Sequence, residues 1–283
     1  MIKCILIYNA RLVDESMDTA GSVLIVDGKI RFVFQGYCTS GKAAEELAKT
    51  ILKEDGIEEN CSLELFNANN LTVMPAFIDM HVHLRYPGQT QKEDLTSGLK
   101  AAAAGGFGTI VAMPNTNPVV SSLEMAMQIE REATALGLTH VFQTVSITKD
   151  FAGEDNSHLD FLDKKYVPVI TEDGKDVLSD EIMKAAMEKC SKAEVIVSCH
   201  CEDPKLVPVA KKLRDEKNYF EAEKVLADAE NIYTERNLQL ALETNCRVHI
   251  AHISTKKALD AVRAAKSTPK GKELVTCEAT PHH

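Results

Sequence analysis

No stretch of this 283-residue chain approaches the roughly 18 consecutive apolar residues of a membrane span. The opening Met1–Asn9 turns polar too soon to serve as a secretory signal. A basic surplus is also missing: 32 Lys and Arg stand against 42 Asp and Glu, a formal net charge of −10, which leaves no electrostatic footprint for nucleic acid. Among eight cysteines there is no Cys-x-x-Cys pair, and a chain this long needs no disulfide staples. Reduced thiols in a cytoplasmic protein are the expectation. No Gly/Ser linker marks a border near residue 73. What remains is an acidic soluble protein, 45% hydrophobic, long enough for one large domain or two smaller ones.

Residues 1–72 read as a small β-rich domain. Ile5–Asn9 and Ser22–Val26 are β-prone runs, Asp27-Gly28 is a turn signal, and Lys29–Phe34 returns as the partner strand of a hairpin. The charged stretch 41–60 is partly helical in pattern. From 73 to 283 strands alternate with helices. Apolar or β-branched runs fall at 73–79, 109–113, 140–146, 167–171, 195–198, 248–253 and 274–278, with helical stretches at 93–104, 123–136, 180–192, 221–243 and 256–265. This order predicts βαβ units and a parallel sheet, and seven strands favour a TIM-like (β/α) barrel, whose reactive groups gather at the C-terminal strand ends. The competing doubly wound sheet normally carries a glycine-rich phosphate turn after its first strand. Here Gly105-Gly106-Phe107-Gly108 precedes a strand and reads as a helix stop.

The strand ends hold the candidates for chemistry. His81-Val82-His83 closes the first barrel strand; residues two apart on a strand point to one side, so both imidazoles can face one metal. Other strands end in Met113-Pro-Asn-Thr116, Thr171-Glu-Asp-Gly174, His200-Cys-Glu-Asp203 and His249-Ile-Ala-His-Ile-Ser-Thr255. Several imidazoles and a carboxylate converging from different strands have the composition of a catalytic metal centre. Cys199 and Cys201 flank His200 but point away from it on a strand, and read as packing residues.

Together, Pro75-x-Phe-Ile-Asp-x-His-x-His-Leu-Arg-x-Pro-Gly88, Met113-Pro-Asn-Thr116, His200-Cys-Glu-Asp203, His249-Ile-x-His-x-Ser-Thr255 and Thr276-Cys-Glu-x-Thr-Pro-His-His283 give a pattern that resembles the bacterial type I dihydroorotases of the amidohydrolase superfamily, over essentially the whole chain. The His-Leu-Arg-x-Pro-Gly element favours that family over hydantoinases and allantoinases. The resemblance implies a metal-dependent hydrolase barrel with two metals, normally Zn2+: His81 and His83 on one, His200 and His252 on the other, and a bridging acid. Asp173 fits the bridge because it directly precedes the glycine, with Glu172 as its rival. His249 would be structural. Arg85 and Asn115 would grip the substrate carboxylate, and Asp79 would orient an imidazole. The implied reaction is reversible cyclisation of N-carbamoyl-L-aspartate to L-dihydroorotate in pyrimidine biosynthesis.

In that family a Thr-Asp-His-Ala-Pro-like motif on strand eight supplies the general base and a ligand to the first metal. No such motif occurs here, and strand seven runs to His283. The expectation is a C-terminally truncated member: the barrel lacks its last strand, the catalytic aspartate lies beyond the chain end, and activity is impaired. The His200/His252 metal should then be held better than the His81/His83 one. The alternatives are a related hydantoinase or allantoinase, and a non-catalytic dihydroorotase-like subunit supporting aspartate transcarbamoylase. A homo-oligomer is expected.

Overall fold

Asp27 and Gly28 both take left-handed backbone angles (φ +50° and +78°), the conformation a two-residue hairpin turn requires. In the computed structural model, which describes residues 1–283, they join two strands of the first of two compact units, Met1–Ala76. Strand β1 (Ile2–Val13) pairs antiparallel with β2 (Asp18–Val26), which pairs antiparallel with β3 (Lys29–Gln35). Helix α1 (Gly41–Glu54), capped by the Ser40 side chain, lays Ala44, Ala48 and Leu52 against Cys4, Leu6 and Leu24. That four-residue spacing puts the three helix residues on one face. The chain then returns as β4 (Cys61–Asn67) and the short β5 (Thr72–Val73), both parallel to β1. The boundary falls at Ala76/Phe77 rather than at 72/73, because Thr72 and Val73 pair with Arg11 and Leu12.

The second unit, Phe77–His283, alternates strand and helix. Its elements are β6 (Phe77–Val82), α2 (Leu95–Ala104), β7 (Phe107–Ala112), α3 (Leu123–Leu136), β8 (His140–Gln143) and β9 (Val169–Thr171). They continue as α4 (Asp180–Ala193), β10 (Ile196–Cys199), α5 (Val207–Asp215), α6 (Tyr219–Thr244), β11 (Val248–Ile250), α7 (Lys256–Lys266), α8 (Pro269–Leu274) and β12 (Val275–Cys277). The strands lie in chain order in two parallel ladders, β6-β7-β8 and β9-β10-β11-β12, joined by a bridge between Val145 and Ile170. Strand β6 pairs only with β7, and β12 only with β11. This is the expected barrel architecture through seven strands.

Alternation along the strands builds two apolar layers. Ile110, Val141, Ile170, Val197 and Ile250 join helix residues such as Leu99, Ile129, Met183 and Met187 in the large buried cluster. On the opposite face Val111, Met113 and Val169 form a smaller cluster with Met80, Phe142 and Ile196. Helix α2 stops at Gly105, and Gly106 (φ +81°) turns the chain into β7, as the glycine cluster predicts. Two helices were not expected. The short α5 and α8 each begin with a proline in the first turn, where the missing N–H costs nothing. All eight cysteines are free, and Cys199 and Cys201 are buried as packing residues. No helix is long and apolar enough to cross a membrane.

One carboxyl on the helix layer sets a pH dependence. Burial pushes Glu130 of α3 up to about 7, against the pull of a hydrogen bond from the Gln143 N–H. The folded chain thus holds this proton more tightly than the unfolded chain. The associated stability is complete below about pH 4 and is lost as pH rises through about 7. Discounted for the partial exposure of the site, the loss is roughly 1–2 kcal/mol. Glu130→Gln should therefore raise the melting temperature near neutral-to-alkaline pH and flatten its fall across this window. An unchanged slope in thermal melts would refute the assignment.

Candidate metal centre

The first metal-ligand candidates come from an irregular strand. Asp79 is in register with Ile110 and Val82 with Ala112, so β6 carries one extra residue between them, a bulge at Met80–His81. Asp79 serves this bulge: its Oδ1 accepts from the His81 backbone N–H at 3.0 Å. It does not orient an imidazole, which corrects the role expected for it. Beyond the bulge His81 and His83 turn to the same carboxylate. His81 Nε2 lies 3.0 Å from Asp173 Oδ1, and His83 Nε2 lies 3.6 Å from Asp173 Oδ2.

Asp173 follows β9 and is 4% exposed. Gly174, at φ +89°, turns the chain immediately after it. Its neighbour Glu172 points the other way, as alternation demands, and accepts from the Thr148 N–H at 2.9 Å and from the Thr148 hydroxyl. The two acids are therefore tuned apart. Burial raises Glu172. Burial also works to raise Asp173, but the contact with His81 and the charges of His81, His83 and His200 outweigh it and hold Asp173 below the ordinary carboxylate range.

From the other side come β10 and β11. His200 Nδ1 lies 3.7 Å from Asp173 Oδ1 and 2.9 Å from His252 Nε2. The residues form two groups whose ligand atoms all lie within 4.8 Å of one another: His81, His83 and Asp173, then Asp173, His200 and His252. The groups share Asp173. Each of three imidazoles also has an acceptor at the nitrogen facing away. Asn115 Oδ1 sits 3.1 Å from His83 Nδ1, Glu202 Oε2 3.2 Å from His200 Nε2, and Glu278 Oε1 3.4 Å from His81 Nδ1. At His83 and His200 such an acceptor favours the proton on the outer nitrogen and the lone pair on the inner one, the arrangement metal-binding histidines use, whereas His81 lies between two carboxylates. The donor set and its geometry fit a divalent metal.

His252 has φ +35°, unusual for a residue with a side chain, and the turn after it is held from α6. The Glu230 carboxylate accepts from the Ser254 N–H at 3.0 Å, the Thr255 N–H at 2.9 Å and the Thr255 hydroxyl at 3.0 Å. Beside His200 and His252 opens a cavity of about 620 Å3 walled by Glu202, Glu223, Glu230 and Ser254.

Asn115 is already engaged. Besides its contact with His83, its Nδ2 donates to Asp173 Oδ2 at 2.5 Å, so a role as a substrate group competes with two bonds that hold the ligands. Arg85, at φ +55°, makes no side-chain hydrogen bond or ion pair; burial lowers His83, and the Arg85 charge adds to that. Gly88 closes this loop (φ +81°) where a Cβ would come within 1.7 Å of Asn117 O, so no other residue fits. His249 does not join either group. Its Nδ1 meets Thr276 Oγ1 at 2.9 Å and its Nε2 faces Glu278 Oε2 at 3.3 Å. Glu202 and Glu278 lie inside recognisable motifs without a role evident from spacing. Glu230, in mid-helix, carries no sequence signal.

A family model described as "Dihydro-orotase-like" matches residues 71–258. Among curated relatives, a dihydroorotase from Clostridium botulinum is 34% identical over 99% of this chain and 61% of its own length. One from Aquifex aeolicus is 34% identical over 100% and 62%. The chain thus spans about three fifths of the length of these relatives. Among solved structures, an L-hydantoinase from Arthrobacter aurescens superposes with TM-score 0.75 at 19% identity, covering 98% of this chain and 58% of that one. A D-hydantoinase gives 0.73 at 21%, covering 99% and 57%. These structures share the fold.

The protonation pattern predicts how metal uptake varies with pH. Burial works to lower His81, but Asp173 and Glu278 push it up to about 9, whereas burial and the neighbouring His200 and His81 bring His252 down to about 4. A metal entering the first group must displace the His81 proton, so its affinity should rise about tenfold per pH unit up to about pH 9. His252 carries no such proton near neutrality. Competition with a chelator between about pH 6 and pH 9 should show one class of site strongly pH-dependent and lost in His81→Ala. Asp173→Ala should weaken both classes by more than the about 10–100-fold typical of outer contacts. Loss of one class alone would show that Asp173 is not shared.

Proposed function

The chain belongs to the dihydroorotase-like family, and on that footing we propose that it binds two zinc ions through His81, His83, Asp173, His200 and His252 and works on the dihydroorotate ring. The single observation that carries this reading is the pairing of one buried carboxylate, ringed by four imidazoles, with an unpaired guanidinium two residues beyond His83. Such a centre polarises an amide carbonyl and activates a water when metal is bound. The chain's own part is to hold the inner nitrogens fixed and to keep Asp173 ionised. Arg85 offers a planar fork suited to a carboxylate, which dihydroorotate and N-carbamoyl-L-aspartate both carry. Asn115 holds His83 and Asp173 in place beside it.

Hydrolysis of dihydroorotate and closure of N-carbamoyl-L-aspartate, each with added zinc and with a chelator, test the reading. Any turnover should depend on the added zinc and be abolished by the chelator. Arg85→Ala should lower kcat/KM for dihydroorotate by about 10- to 100-fold, since a charged bidentate contact is worth roughly 1.5–3 kcal/mol. A hydantoin ring without the carboxylate should lose much less. Preferred turnover of the uncarboxylated ring would shift the assignment to a hydantoinase. Co-purification with aspartate transcarbamoylase and no turnover would leave a supporting subunit.

A further inference from the structure

A side chain links the end of β12 to His81. Glu278, the first residue after β12, has its own backbone tied to the end of β11: its N–H donates to Ile250 O at 3.1 Å and its carbonyl accepts from the Ile253 N–H at 2.9 Å. From that anchored position its carboxylate reaches two imidazoles, Oε1 at 3.4 Å from His81 Nδ1 and Oε2 at 3.3 Å from His249 Nε2.

Both nitrogens are buried without a hydrogen-bond partner, and the Glu278 carboxylate lies within ion-pair distance of each. The far side of His249 is also determined. The Thr276 hydroxyl donates to Val248 O at 3.3 Å, which leaves its oxygen to accept from His249 Nδ1 at 2.9 Å. Thr276, His249, Glu278 and His81 thus form a line that runs from β12 through β11 to β6. It ends on the nitrogen of His81 opposite the one that faces Asp173.

We infer that Glu278 is a positioning residue for the first metal group, setting the tautomer and orientation of His81, and that His249 serves by holding the Glu278 carboxylate. The inference rests on the metal reading proposed above. A ligand imidazole that donates its outer N–H to a carboxylate is both oriented and made more basic. The contact distances of 3.3–3.4 Å leave room for closer bonds when His81 is engaged as a ligand. This gives the buried His249, which belongs to neither metal group, a task in the centre.

The test is chelator competition with zinc and with cobalt on the whole chain, comparing the parent with His81→Ala, His252→Ala, Glu278→Gln, Glu278→Ala and His249→Gln, alongside thermal melts. Glu278→Gln should weaken the His81-dependent class about 10–100-fold and leave the His252-dependent class within about threefold. His249→Gln should shift the same class by a smaller factor. Equal weakening of both classes, or no change in either, overturns the inference. So does a loss as large as that of His81→Ala, which would make Glu278 a ligand itself. Glu278→Gln is nearly isosteric and carries the test even where Glu278→Ala fails to fold; a Glu278→Gln chain melting far below the parent would place Glu278 in the framework instead. A parent that takes up no metal, or a His81→Ala chain that binds like the parent, refutes the metal reading, a result distinct from failure of Glu278 alone.

Discussion

One buried negative charge organises the second unit's rim. Asp173 is 4% exposed, and an ionised carboxylate at that depth costs several kcal/mol unless charges and donors surround it. The surroundings answer with His81, His83 and His200 and with the Asn115 amide. The imidazoles in turn limit one another. His81 is driven up to about 9 by two carboxylates against the pull of burial, while burial, and then the neighbouring His200 and His81, drive His252 down to about 4. With His81 raised and His83 and His252 lowered, the cluster crowds its imidazoles around a single anion. A divalent cation held by these residues would relieve that crowding by taking the place of protons.

Keeping those groups in place falls to acids that never reach the centre. Glu172 faces away from Asp173 and ties the β9 end to the Thr148 segment. Glu230 collects the donors of Ser254 and Thr255, which fixes the turn that follows the strained His252. Asp176 is fully buried and accepts from Arg236 at 2.9 Å and Asn237 at 2.8 Å, binding the loop after Asp173 to α6. Each contact joins the end of a strand to a helix or a neighbouring loop. The strands are short, three or four residues from β8 through β12, so the ladders alone give little control over the side chains that follow.

This division explains what could be read from the sequence. The His-x-His pair, the Asp-Gly after β9 and the histidines closing β10 and β11 are local signals, and strand alternation carries them to one rim. The same alternation separates Glu172 from Asp173 and assigns Cys199 and Cys201 to packing. Other features depend on register or on distant partners. The bulge at Met80–His81 arises from pairing with β7, 30 residues away in register at Val82↔Ala112, and leaves no mark in composition. Thr72 and Val73 continue the apolar run that leads into β6, yet they pair with Arg11 and Leu12, a choice made by the first unit's sheet. Asn115 was legible as a strand-end residue, but its two bonds to His83 and Asp173 exist only once three strand ends meet.

The distribution of charge around the centre gives the proposed substrate a direction. The cavity beside His200 and His252 is walled by Glu202, Glu223 and Glu230, and Glu202 is held below its ordinary range, first by the His200 contact. A substrate carboxylate placed there would meet like charge, which is costly where water is partly excluded. Arg85 follows the other pair of histidines and forms no ion pair. An anionic ring with its carboxylate toward Arg85 keeps that charge away from the acidic wall. The opposite orientation pairs acid with acid and leaves the guanidinium unused. Electrostatics therefore selects one of the two orientations before any contact specific to the ring is considered.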